Sequence, residues 1–171
     1  MDTGNFDGGF MKLGVKGKKL IQDFEQFRPT LYDTDGAGHC TVGWGHLVHR
    51  GLCDGRENEK QFMKGISKSR GDELFFLDVE HAERTVNKHA QSLNLELNQD
   101  QFDALVSFTY NVGSGNLSTM LKNCEKGNKK LDLDKIPACM KRYDRAGGQI
   151  LSGLTRRRLR EADLFEGKVN E

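Results

Sequence analysis

Glu25 is the residue of this sequence whose type and neighbours best suit it to move a proton. It stands between Phe24 and Phe27 near the end of an apolar run, and Asp33, Asp35 and Thr41 follow within a Gly-rich segment. A carboxylic acid in apolar surroundings resists ionisation, because burial disfavours its charged form. A second carboxylate can then handle a water or a sugar cation, which is the division of labour that glycoside hydrolysis requires. Each residue alone is a weak signal. A Glu after an apolar stripe is usually a solvated helix residue, and an Asp in a turn usually caps its own backbone.

Other groups of residues suggest other chemistry. His39, Cys40, His46, His49 and Cys53 fall close together, but zinc strings carry tight Cys-x₂₋₄-Cys or His-x₃₋₅-His pairs that this set lacks. The expectation is no metal and no cofactor. Cys40 sits on a predicted strand and Cys53 follows a short loop, so the chain can return to join them in a disulfide. Cys124 and Cys139 fall on two predicted short helices and are expected to be small buried apolar residues with free thiols. Between Lys141 and Arg160 seven basic residues face a single acid, Asp144, although the whole chain carries a formal charge of only +1. Arg-rich helices bind phosphates, yet no aromatic residue interleaves Arg156 to Arg160, so no nucleic-acid partner is expected.

The elements that must position these residues follow from spacing. Leu20, Ile21, Phe24 and Phe27 recur at helical intervals over Lys16 to Phe27, and Pro29 disfavours helix at Arg28, placing Glu25 in the last turn. From Leu31 to Leu47, glycines and aspartates punctuate short runs, the texture of a hairpin or three-stranded sheet. Gly51 to Gly65 is polar and reads as a loop. Ser67 can cap a helix whose stripe is Phe75, Val79, Ala82 and Val86, about 18 residues long and roughly 27 Å. Asn98 with Gln101 is a capping box opening a helix through Phe108, closed at Gly113. Shorter helices fit Ser118 to Lys126, Ile136 to Arg145 (broken by Gly147 and Gly148) and Thr155 to Phe165. The class is α+β, mostly helical, with a small N-terminal antiparallel sheet.

A wider set of residues carries a resemblance. Phe24-Glu25-Gln26-Phe27-Arg28, Tyr32, Asp35 and Thr41-Val42-Gly43-Trp44-Gly45-His46 resemble the active-site segment of phage-type lysozymes. Asn98 to Phe108 with Asn111-Val112-Gly113, Ser118 to Lys122, Arg145 to Gly148 and Gly153 to Arg158 are similar to later segments of that family, in order, from about Leu13 to Phe165. The resemblance implies a two-lobed fold, with the sheet lobe and the helical lobe joined by a long helix. It implies cleavage of the β-1,4 bond between N-acetylmuramic acid and N-acetylglucosamine, with Glu25 as general acid. Asp35 and Thr41 would hold the attacking water, an arrangement associated with inversion.

Two departures stand out. The family's interval from the Glu lands on Thr34, between two aspartates, so one residue is inserted. Counting back from Thr41 favours Asp35, while counting from Tyr32 favours Asp33. Gln26 also replaces the glycine usual after the Glu. Tyr110 and Asn111 end the central helix and are expected as substrate contacts, with a core position as the alternative for Tyr110. Arg157 resembles the family arginine that faces the catalytic Glu, with surface solvation as its alternative. His46, also a candidate substrate contact, is more often a structural hydrogen-bonding residue in such a position.

The expected layout is a tail or linker over 1–12, a catalytic domain over 13–166 and a short tail over 167–171. No apolar run is long enough to span a membrane, and Met1 to Met11 has no apolar core of a secretory signal. The expected partner is peptidoglycan glycan strands in the periplasm, met by a monomer. A holin, a secretion apparatus or fusion to a larger parent chain would deliver it, as a phage lysin or as a toxin domain with an immunity protein. The competing class is a non-catalytic wall-binding module using the basic stretch. The presence of Glu25, an Asp and Thr41 together argues against it.

Overall fold

The computed structural model describes residues 10–34, 38–125 and 130–170. In chain order it forms α1 (Val15–Glu25), β1 (Arg28–Asp33), β2 (Cys40–Gly43), β3 (His46–His49), α2 (Lys68–Ser92), α3 (Gln99–Val112), α4 (Ser114–Cys124), α5 (Ile136–Met140), β4 (Arg145–Ala146), β5 (Gln149–Ile150) and α6 (Ser152–Phe165). This is an α+β fold, mostly helical, as the sequence predicts. No helix among the described residues is long and apolar enough to cross a membrane.

The centre is α3. Its residues Phe102 to Thr109 are all buried, which only a helix enclosed on every side can sustain. The capping box forms in both directions: Asn98 accepts from the Gln101 N–H at 2.8 Å, and Gln101 accepts from the Asn98 N–H at 3.0 Å. Packed around α3 are α1, α2, α4 and α6, so the N-terminal helix belongs to the helical lobe. One buried carboxylate fixes α1 there. Its N-cap is Gly14, with no side chain to cap it, and Asp103 of α3 supplies the acceptor for the N–H groups of Gly14 at 2.9 Å and Gly17 at 3.1 Å. Burial pushes the Asp103 carboxyl up, and these bonds pull against that shift. At Gly17 a Cβ would stand 2.7 Å from Cβ of Asp103, so the close approach of the two helices requires glycine.

The sheet lobe is β1-β2-β3, antiparallel throughout, with Tyr32 opposite Thr41 and Thr41 opposite Leu47. It closes over its own small core of Val42, Phe62 and Leu74. The segment expected to be a loop contains a 3₁₀ turn at Glu57–Phe62, whose Phe62 and Glu59 are buried. Glu59 organises it by accepting from the backbone of Asp54 and Gly55 and from His49. Ser67 caps α2 as predicted, accepting from the Arg70 N–H. The helix then runs 25 residues rather than 18, about 37 Å. It continues past the apolar stripe because buried Asn87 is satisfied, donating to the carbonyls of Glu83 and Met11.

Three further expectations are corrected. Cys124 and Cys139 are joined (Cα–Cα 5.9 Å), and so are Cys40 and Cys53 (4.7 Å), leaving no free thiol where two were expected. Cys124 ends α4 and Cys139 lies in α5, and the packing of these two helices brings the buried sulfurs together. The helix expected over Ile136 to Arg145 stops at Met140, and Gly147-Gly148 turns a short antiparallel ribbon, β4–β5. In the basic stretch, Arg157 and Arg158 are interior and Arg160 pairs with Asp23. The exposed positive charge is correspondingly smaller than the sequence suggests.

Candidate active site

Glu25 is the last residue of α1, where the helix dipole disfavours a negative side chain. The next residue, Gln26, takes φ 53° and ψ 149°, a region almost restricted to glycine. This backbone lets the chain leave the helix and enter β1 at Arg28 within two residues. The glycine usual after the Glu in the resembling family is thereby explained, and Gln26 carries the strain. Gln26→Gly should stabilise the protein by about 1 kcal/mol, the relief of strain less the entropy of an added glycine. Thermal unfolding would show this as a midpoint about 2–4 °C higher; an unchanged or lower midpoint would contradict it.

Two residues hold the Glu25 carboxylate in place. Arg157 donates from Nη1 to Oε1 at 2.5 Å. On the other side, Gly45 in the β2–β3 turn leaves no room for a Cβ, which would stand 2.7 Å from Cδ of Glu25 and closer still to Oε2. Its φ of +73° suits glycine as well. Glu25 keeps 16% of its side chain exposed, whereas Arg157 keeps 4%. Tyr32 and Tyr110 lie within its field. Burial first, and then the Glu25 charge, push both phenols up.

Arg157 belongs to a buried chain of alternating charges. It donates from Nε to Glu161 at 3.3 Å and from Nη2 to the Ser107 carbonyl at 3.2 Å. Glu161, wholly buried, also accepts from Ser107 Oγ at 2.6 Å and pairs with Arg158 Nε at 2.7 Å. Burial alone would lower the Arg157 guanidinium, but Glu25 and Glu161 outweigh it and hold it up.

A cleft of about 580 Å³ opens between the lobes, lined by Gly45, Leu47, Asp78, Tyr110 and Asn116 among others. Beside the cleft the two lobes are stapled together. The Tyr110 hydroxyl donates to the Trp44 carbonyl at 2.5 Å, and the rings of Phe27, Trp44, Phe75 and Tyr110 run in sequence at 5.5, 6.4 and 5.7 Å. The chemistry such a site can perform is proton donation from the Glu25 carboxyl, which meets the cleft through its contact with Gly45.

The family model for phage lysozyme matches residues 22–161. The chain belongs to the phage lysozyme family. Among its relatives, an endolysin of Bacillus phage B103 is 32% identical over 158 residues, 91% of this chain and 54% of that protein. An endolysin of Lactococcus phage c2 is 30% identical over 165 residues, 94% of this chain and 62% of that protein. The chain thus spans about half the length of the Bacillus phage relative. Among solved structures, the endolysin of Escherichia coli O157:H7 phage FAHEc1 superposes with TM-score 0.68 at 26% identity, covering 95% of this chain and 98% of that one. The muramidase domain of SpmX from Asticaccaulis excentricus gives 0.65 at 26%, covering 90% and 97%. Membership makes the chain a lysozyme-type hydrolase.

In this lysozyme fold the expected site residues divide. Glu25, Arg157 and Tyr110 converge where the lobes meet. Thr41 is buried opposite Tyr32, its hydroxyl donating to the His39 carbonyl at 2.9 Å with its lone pairs left to accept. His46 is held by Asp78 at 2.8 Å, a residue of the cleft wall. Half-buried Asn111 accepts from Arg158 Nη2 at 2.8 Å and, like Glu25 and Arg157, lies behind the residues that line the cleft. Asp33 is occupied, accepting from the Cys53 N–H at 2.7 Å, and Asp35 lies outside the described residues. The suspected metal cluster re-sorts too. Cys40, His49 and Glu59 come within 4.8 Å, but the Cys40 sulfur is bonded to Cys53 and offers no thiolate.

Sequence reading missed Glu161, Asp78 and the Gly45 contact. For Glu161 a signal existed: it follows Arg157 by four residues and Arg158 by three, spacings that meet on one helix face. Its neighbours Ala162, Leu164 and Phe165 are apolar, which marks that face as buried.

Proposed function

We propose that this chain is a muramidase that cleaves the β-1,4 bond between N-acetylmuramic acid and N-acetylglucosamine in peptidoglycan. The observation that carries the reading is Glu25 itself, pinned between Arg157 and Gly45 where the inter-lobe cleft begins. A glycan strand lies along the cleft past Tyr110, and Glu25 protonates the departing glycosidic oxygen. Asp35 and Thr41 hold a water on the opposite face of the sugar, which points to inversion. No cofactor takes part. The site of action is the peptidoglycan layer, where the chain acts as a phage lysin or as the lytic domain of a secreted toxin.

The choice of second carboxylate has a direct test. Asp33 already holds the Cys53 backbone beside the disulfide, work that an asparagine oxygen can also do. Asp33→Asn should therefore leave the clearing of purified sacculi near wild type. Asp35→Asn should lower it by about 10²-fold or more, the usual range for losing a general base. The reverse ranking would move the role to Asp33.

A further inference from the structure

Arg157 presents a difficulty for the acid it touches. A cation in contact with a carboxyl favours its charged form, whereas Glu25 must carry a proton to act as general acid. The charges behind Arg157 bear on this. Glu161 is fully buried, is reached by no part of the cleft, and contacts both Arg157 and Arg158. Glu161 thus stands between the two guanidiniums, with Glu25 on the far side of Arg157. We propose that Glu161 is a positioning residue for the reaction: it fixes Arg157 against Glu25 and offsets part of its charge, so that Glu161 sets how strongly Arg157 acts on the acid. This rests on the reading of Glu25 as the general acid.

The groups that face this cluster come from every element packed on it. Glu25 comes from α1 and Tyr32 from β1, with the Arg28 guanidinium over its ring. Asp78 of α2 acts on Tyr110 of α3. Ser107 and Asn111 of α3 bond Glu161 and Arg158, and Arg160 of α6 stands 5.2 Å from the Phe24 ring. Among these, only Glu161 is an anion in direct contact with Arg157 besides Glu25 itself. Its removal therefore leaves the Arg157 charge facing Glu25 without a counterweight.

The test is the pH profile of sacculus clearing at low substrate, measured as a ratio to wild type so that titration of the wall cancels. The alkaline limb reports loss of the protonated acid in the free enzyme. Glu161→Gln keeps the shape and an acceptor for Ser107 but removes the charge. Its alkaline limb should move to lower pH by about one unit, the low end for an opposite charge close by. Arg158→Met removes the competing cation, leaves Glu161 wholly to Arg157, and should move the limb the other way. If activity falls equally at all pH with the limb unmoved, Glu161 is only a structural residue and the proposal is overturned. If Glu161→Gln does not fold, Arg158→Met decides: an upward shift supports the role and an unmoved limb rejects it. Failure of the underlying reading looks different, because Glu25→Gln would then retain activity.

Discussion

Glu25→Gln should lower lytic turnover by about 10²- to 10⁴-fold, the range a general acid contributes, while the protein still folds. The amide fills the same space between Arg157 and Gly45, and its oxygen can still accept from Arg157 Nη1. What it lacks is an acidic proton for the departing sugar oxygen. Stability should change little, because Arg157 keeps Glu161 and the Ser107 carbonyl. Circular dichroism with sacculus clearing on the same sample separates the two effects. Retention of more than about a tenth of the wild-type rate would contradict the assignment of the acid.

Gly45→Ala should be nearly as damaging, by a different route. The new methyl would occupy the space of the Glu25 carboxylate, and the backbone there sits at φ +73°. The left-handed conformation costs a non-glycine residue about 1–2 kcal/mol. Glu25 can escape the clash only by swinging away, which breaks its contact with Arg157. Displacement of a reacting group by about 1 Å can cost about 10²-fold. The expected result is therefore a loss of about 10²-fold in clearing with a lowered melting temperature. Near-wild-type activity would show that Glu25 is not held by the turn.

The parts of the fold legible in the sequence were those with local chemistry behind them. Asn98 with Gln101 marked the start of α3, and Ser67 marked the start of α2, because capping is read from two or three adjacent residues. Glu25 was legible through the apolar run before it and Pro29 after it. The features that stayed hidden depend on which distant faces meet. The Cys124–Cys139 bond needs the register of two short helices, and the β4–β5 ribbon looks like a helix end until its strands pair. The partners of Arg158 and Glu161 stayed hidden because they are distant in sequence, Ser107 receiving Glu161 and Asn111 receiving Arg158. Gln26 was visible as an odd residue, but its positive φ is a property of the chain crossing from helix to strand.

The measurement that bears most directly on the central claim is the identity of the new reducing ends in digested sacculi. Purified peptidoglycan would be digested, reduced with borohydride and hydrolysed, and the sugar alcohols identified. A muramidase with Glu25 as acid leaves N-acetylmuramic acid at the reducing end, so muramitol should accumulate and be absent with Glu25→Gln. Glucosaminitol, or clearing without any new reducing sugar, would contradict the account.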